Sequence, residues 1–277
     1  MARTGTSAAR VTQDADGGPA RLTGGWQAVT AHWLAKYRRV WFGTAITSFL
    51  SPLLYLAGMG YGLGMLVDRG AGGIDGVPYV VFVAPGVLAA TTLQVAAGET
   101  TFSVMGSIKW DRTYHGMLAT PLGVRDVVRG HLAYVLVRLT MAAVVFFGVA
   151  AALGTVRSWW GLLAVPVAVL GGLAFASCCY AYSASLTNDR GLALMFRFVV
   201  MPMTLFSGTF FPIAQLPGWL QPVAWLTPLW HTVDASRTLF LGTADPGGIL
   251  LHVGYLVLWA AGGYLAAVRV LHRRMVV

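Results

Sequence analysis

Four prolines, Pro212, Pro217, Pro222 and Pro228, punctuate the stretch Phe206–Arg237 (FSGTFFPIAQLPGWLQPVAWLTPLWHTVDASR), which is otherwise as apolar as a membrane span. Each proline removes a backbone donor and clashes with the turn before it. No unbroken transmembrane helix can run through that spacing. In hydrocarbon, interrupted backbone survives only where protein or a water-filled cavity covers it. The expectation is a re-entrant segment, residues 206–237, that dips into the membrane and returns as short helices joined by turns. Trp219, Trp225 and Trp230 suit the lipid–water interface, where an apolar ring with a polar N–H is at home.

Composition agrees with a membrane location. The chain is 57% hydrophobic and 10% charged, against roughly a quarter charged in a soluble domain. The fold class expected is all-α and polytopic. About 20 apolar residues make one span, and six such runs can be read: Phe42–Leu66, Tyr79–Gly98, His131–Leu153, Trp160–Leu186, Leu192–Phe210 and Gly248–Val268. The proline-broken segment falls between the fifth and sixth. Residues 1–21 are polar, rich in Gly, Thr and Ala, and lack a signal-peptide core; they read as a disordered cytosolic tail. Residues 22–41 are amphipathic, with Trp26 and Trp33 seven apart and Lys36, Arg38 and Arg39 at the end. This pattern fits a helix lying on the membrane surface, the alternative being an ordinary basic flank of the first span. The remainder, residues 42–277, reads as one transmembrane domain.

The net charge of +9 invites a nucleic-acid reading, but the basic residues collect at the ends of apolar runs and form no stripe on a soluble face. With both termini cytosolic, fourteen of the nineteen Lys and Arg fall on the cytosolic side. Arg69, Arg157 and Arg237 fall outside, and Arg138 and Arg197 fall within spans. That bias orients a multi-pass protein of the cell membrane, and the broken segment then enters from the outer face. In the first span, Gly58/Gly62 and Gly60/Gly64 form overlapping small-xxx-small pairs suited to close helix packing or a dimer seam. Cys178 and Cys179 are adjacent within an apolar run and read as inert buried thiols.

Catalytic patterns are missing. Glu99 is the only glutamate, so paired glutamates and His-Glu-x-x-His cannot occur, and no Gly-x-Ser-x-Gly is present. The six histidines are scattered, which argues against a metal site. Neither lysine follows a glycine: Ala35 precedes Lys36 and Ile108 precedes Lys109. A phosphate-binding P-loop needs that dipeptide, so an ATP-driven process would place the nucleotide on another polypeptide.

The longest connection with cytosolic charge is Glu99–Gly130 (ETTFSVMGSIKWDRTYHGMLATPLGVRDVVRG). Asp111 is expected to cap a short helix over Arg112–Ala119, ended by Thr120-Pro121, with a second short helix over Val124–Arg129. The mixture of Trp110, Tyr114, His115 and Met117 with charges suits a docking surface; a solvated loop that merely sets orientation is the alternative.

These stretches carry a family resemblance. LSPLLYLAGMGYGLG (Leu50–Gly64), APGVLAA (Ala84–Ala90), TYHGMLATPLGVRDVVRG (Thr113–Gly130) and PMTLFSGTFFPIAQLPGWLQPVAWLTPLWHTVDASR (Pro202–Arg237) make the chain similar to the type-2 export permeases of ABC transporters, in the branch of nodulation-factor exporters and daunorubicin-resistance permeases. The resemblance covers all but the N-terminal 20 or so residues. It implies two permease subunits, homo- or heterodimeric, each docked on one ABC ATPase subunit that holds ATP and Mg. It implies that residues 22–41 form a connecting helix and that the coupling region 107–130 offers Trp110, Asp111, Arg112, Thr113, Tyr114 and His115 to the ATPase. The broken segment would close the outer side as a gate, with Phe211, Pro212, Pro217, Trp219, Trp225 and Pro228 its characteristic residues. Cargo in this family is amphipathic: lipid-linked oligosaccharides, glycolipids or drugs. A secondary carrier would instead need a midplane ion site, and a lipid-modifying membrane enzyme would need a catalytic constellation; neither is visible.

Three charges sit near the cytosolic ends of spans: Glu99, Arg138 and Arg197. They either snorkel to the interface or pair. The sharper expectation is that Glu99 pairs with Arg138 or Arg197 and braces the coupling loop. His231 and Asp234, after the broken segment, either help to hold it or are ordinary helix-end polar residues.

Overall fold

A computed structural model describes residues 11–12, 21–22, 24–43, 50, 53–74 and 76–276. Most of the expected N-terminal tail, and residues 44–49 and 51–52 of the expected first span, lie outside the described residues. Within the tail, β1 (Val11–Thr12) and β2 (Arg21–Leu22) pair antiparallel.

The rest is helical. After α1 (Gly25–Tyr37), a π-helical stretch Leu56–Leu63 leads into α2 (Gly64–Ala71). Then come α3 (Tyr79–Thr100), α4 (Phe102–Lys109), α5 (Thr113–Leu118) and the long α6 (Val124–Ala152). A 3-10 turn, Trp159–Leu163, opens α7 (Ala164–Ser185). Next are α8 (Arg190–Met195), a second π-helical stretch Phe196–Val200, and α9 (Met201–Phe206). The 3-10 turn Ile213–Gln215, α10 (Gln221–Trp225), α11 (Pro228–Leu241) and α12 (Pro246–Met275) complete the chain.

Among the described residues, four helical runs are long and apolar enough to cross a membrane: Tyr79–Lys109, Val124–Ala152, Trp159–Ser185 and Pro246–Met275. These match the second, third, fourth and sixth expected spans. The fifth region is helical in three pieces, where π-helical turns shift the hydrogen bonds to i→i+5, as in Met201 N–H to Phe196 O.

Local chemistry sets the helix ends. Thr227 Oγ1 accepts from the Trp230 N–H at 3.3 Å, with Pro228 as the first helical residue of α11. Asp245 Oδ2 accepts from the Gly248 N–H at 2.8 Å, with Pro246 first in α12. Proline at that position loses nothing, because its N–H would have no helical partner anyway. Asp68 Oδ1 accepts from the Tyr79 N–H at 2.9 Å and so caps α3 across a loop. Two local expectations need correction. Asp111 does not cap α5; the residue before that helix is Arg112, at φ 49° with no side-chain cap. No separate helix covers Val124–Arg129 either. That stretch is the first part of α6, begun at Gly123, whose N–H donates to Asp126 Oδ2 at 3.0 Å.

The α7 helix is the hub. It packs on α3, α6, α11 and α12. Small residues allow the close approach: a Cβ on Gly171 would strike Thr232, one on Gly172 would strike Leu139, and one on Gly263 would strike Ser177 and Cys178. Cys179 is buried and Cys178 half-buried, both free thiols, as expected of structural cysteines. The α1 helix lies on α6, burying Gly25, Val29, Trp33 and Tyr37 at a spacing of four. Gly130 makes this contact possible, since a Cβ there would meet Val29 and the Trp26 carbonyl.

Candidate functional site

Helical periodicity lines up His131, Tyr134 and Arg138 on one stripe of α6. Trp33 and Tyr37 form a matching pair on α1. At the facing end of α3, Thr100 Oγ1 and Thr101 Oγ1 bond back to the Ala96 and Ala97 carbonyls, both at 2.7 Å. Thr101 leaves helical geometry at φ −97°, ψ −88°. Such back-bonding bends helices, and Glu99 sits at the bend.

Glu99 Oε1 accepts from Arg138 Nε at 2.9 Å, with side-chain exposures of 20% and 7%. Tyr134 Oη donates to Glu99 Oε2 at 3.1 Å. Arg138 Nη1 donates to Tyr37 Oη at 2.9 Å, and its guanidinium lies 4.3 Å from the Tyr37 ring centroid. A buried pair is tolerable only when its remaining hydrogen-bonding capacity is filled, and here the two tyrosines supply that. His131 Nε2 lies 3.0 Å from the Glu99 carbonyl, which can only accept, so Nε2 carries the proton. Nδ1 is then an acceptor, and Tyr114 Oη donates to it at 2.6 Å. Trp33 covers His131 at 4.4 Å and stacks on Tyr134 at 5.7 Å between centroids. Tyr180 of α7 stacks on Tyr114 at 6.3 Å.

One connected cluster therefore joins α1, α3, α5, α6 and α7. The expected Glu99–Arg138 pair is present. Arg197 takes no part: it is exposed in the π-helical stretch Phe196–Val200. The expected coupling residues divide in two. Tyr114 is fully buried, and burial next to Tyr180 pushes its hydroxyl well above the usual tyrosine range. Trp110, Asp111, Arg112 and His115 are exposed and Thr113 half-buried. Asp111 lies 3.8 Å from Lys36 of α1, an exposed pair that contributes little by itself. Arg112 holds a left-handed backbone, uncommon for a residue with a side chain, at the tip of the exposed turn. Sequence reading placed Trp33 on the apolar face of the 22–41 helix without its contacts to His131 and Tyr134, and it missed Tyr37, His131, Tyr134 and Tyr180 as members of the cluster; polar and aromatic residues recurring at helical spacing in apolar runs were the available signal.

At the other end of the helices, the broken segment is a chain of turns and short helices. Gly86 allows the Thr209 backbone to cross α3 closely, beside Pro85. Arg237 fixes that turn, with Nη2 donating to the Gly208 carbonyl at 2.6 Å and its guanidinium 3.9 Å from the Phe82 ring centroid. Phe211 and Pro212 line a cavity of about 510 Å³ with Met59, Leu63 and Tyr79. Pro217 and Trp219 are exposed, Trp225 is exposed beside Trp230, and Pro228 is buried. His231 Nδ1 lies 2.8 Å from His252 Nδ1, and Asp234 Oδ2 lies 3.1 Å from His252 Nε2. These contacts tie α11 to α12, so His231 and Asp234 are more than helix-end polar residues. Among the described residues no group of three or more His, Cys, Asp or Glu is placed to hold a metal ion. Gly60 is buried against Val80 and Gly64 near Tyr79, whereas Gly58 and Gly62 face open space.

Long apolar helices around a small-residue hub, braced by one polar cluster at their charge-rich end, define an integral membrane protein. The family described as ABC-2 type transporter matches residues 25–241, and the chain belongs to that family. It is 34% identical over 252 residues to nodulation protein J of Rhizobium meliloti, covering 88% of this chain and 94% of the relative. Against nodulation protein J of Rhizobium leguminosarum bv. viciae the identity is again 34%, covering 88% and 95%. The inner membrane transport permease YadH of Escherichia coli is 25% identical over 87% of this chain and 93% of its own length.

Proposed function

We propose that this chain is the membrane-spanning permease subunit of an ATP-driven exporter, with both termini cytosolic and six spans. A separate ABC ATPase subunit supplies ATP hydrolysis and Mg, and this chain contributes no catalytic residue. The cargo is amphipathic, a lipid-linked oligosaccharide, a glycolipid or a drug, consistent with the apolar and aromatic cavity beside Phe211 and Pro212. The ATPase docks on the exposed turn Trp110–His115, and α1 is the connecting helix lying along the membrane surface. Residues 206–237 form a re-entrant outer gate. A second permease subunit completes the pore, with the exposed Gly58 and Gly62 as its candidate seam.

The observation that carries the reading is the position of Tyr114. The turn before it is exposed, yet its own hydroxyl bonds His131 of α6 inside a cluster that also holds α1, α3 and α7. A push on that turn reaches four other helices through rigid, buried contacts. Charge reversal by Asp111→Lys together with Arg112→Glu, in chain reconstituted with its ATPase, is expected to abolish export-coupled hydrolysis while the unfolding temperature stays unchanged. Unaltered transport would refute the docking assignment.

A further inference from the structure

At the charge-rich end of the molecule, the start of α6 and the end of α12 enclose a groove of about 890 Å³. Its floor is apolar, with half-buried Leu118, Leu122, Val268 and Met275. Its rim is basic: Arg125, Arg269, His272 and Arg273 all line it and are all exposed. Among the described residues that line the groove the one carboxylate, Asp126, already accepts from the Gly123 N–H. The next residue, Arg274, is engaged elsewhere, donating to the Ala184 and Leu186 carbonyls at the end of α7, each at 2.6 Å. Among the described residues the rim arginines Arg125, Arg269 and Arg273 have no such anchorage, so excess positive charge stands around an apolar floor.

A second feature leads into the same place. Leu251, Leu258, Leu265 and His272 recur every seven residues, so they lie along one stripe of α12. The three leucines are 64%, 73% and 59% exposed, a surface that suits acyl chains. The stripe ends at His272, on the groove's rim. An apolar track ending in a cluster of arginines has the shape and charge of a phospholipid: tail along the helix, phosphate at the mouth. Basic recesses between spans at the cytosolic surface hold anionic headgroups for this reason.

We propose that this groove binds the phosphate headgroup of an anionic phospholipid from the leaflet at the charge-rich end, with an acyl chain lying along the Leu251–Leu258–Leu265 stripe. The site is separate from the Trp110–His115 turn and does not depend on the identity of the cargo.

The test uses the purified full-length chain in detergent, offered equal amounts of phosphatidylglycerol and phosphatidylcholine, with bound lipid counted by native mass spectrometry. The wild type is expected to prefer phosphatidylglycerol by on the order of a hundredfold, since each of the three rim arginines favours an anionic lipid by roughly fivefold. The Arg125→Gln/Arg269→Gln/Arg273→Gln variant should lose that preference. The corresponding triple lysine variant should keep most of it, and Arg157→Gln, outside the groove, all of it. Equal retention of both lipids by the wild type would overturn the proposal regardless of how the variants fold. So would an undiminished preference in the glutamine variant; if that variant also lost copurification with the ATPase, the groove would belong to the partner protein. Millimolar inorganic phosphate that displaced phosphatidylglycerol completely would reassign the groove to a soluble phosphate and likewise overturn the lipid.

Discussion

Removing one member of the Glu99–Arg138 pair strands the other charge among aromatic rings. Breaking a buried, hydrogen-bonded pair costs about 3–5 kcal/mol, so Glu99→Gln and Arg138→Met should each lower the unfolding temperature markedly. The exchange Glu99→Arg/Arg138→Glu should recover part of the loss, because both charges are again paired; a double-mutant cycle on the unfolding free energy measures this. Tyr37→Phe removes one hydrogen bond to a charged donor and leaves the ring under the guanidinium. It should cost about 1.5–3 kcal/mol. At Arg112 the direction reverses. Its φ of 49° suits glycine, so Arg112→Gly should raise the unfolding free energy by up to about 1 kcal/mol while weakening ATPase binding. Glu99 could be singled out in the sequence, being the one glutamate and at a span end. Its partner could only be narrowed to two arginines, because i-to-j distances across different helices are set by packing.

At the scale of elements, α1 and α6 meet at Gly130. A leucine there would force the helices apart, and overpacking of this kind costs about 1–3 kcal/mol. Gly130→Leu should release α1 from α6, read as faster hydrogen exchange in residues 25–37. The tie between α11 and α12 rests on the contact between the two Nδ1 atoms of His231 and His252, which needs one lone pair and one proton. Asp234 faces His252, Tyr255 stacks on His231, and Trp230 packs against both rings. Removing one ring should therefore loosen α11: His252→Ala should increase quencher access to tryptophan fluorescence. The proline-broken segment was legible as short helices and turns, since proline's missing N–H acts locally. The uncapped start of α5 was not, because Arg112 takes up a left-handed turn that no propensity favours.

For the whole molecule, apolar residues and their run lengths were enough to assign a helical membrane protein, and four of the six expected spans overlap long apolar helical runs, three of which extend 7 to 11 residues beyond an expected end. That much is local: hydrocarbon demands that each run satisfy its own backbone hydrogen bonds, and only a helix does so within one segment. The charge bias along the chain is equally local. What the linear order could not contain is which residues meet. Tyr37, Glu99, Tyr114, His131, Arg138 and Tyr180 come from five helices, and Arg237 reaches back across the fold to the Phe82 carbonyl at 3.3 Å. Burial makes these contacts strong and specific, and burial exists only after α7 has gathered its neighbours through Gly171 and Gly172. The sequence by itself thus determined the class of protein, four of its long apolar helices and its broken segment. The tertiary structure alone decided the polar brace, the clamp on the Gly208 turn and the basic groove, because each is made by side chains that become neighbours only when the helices pack.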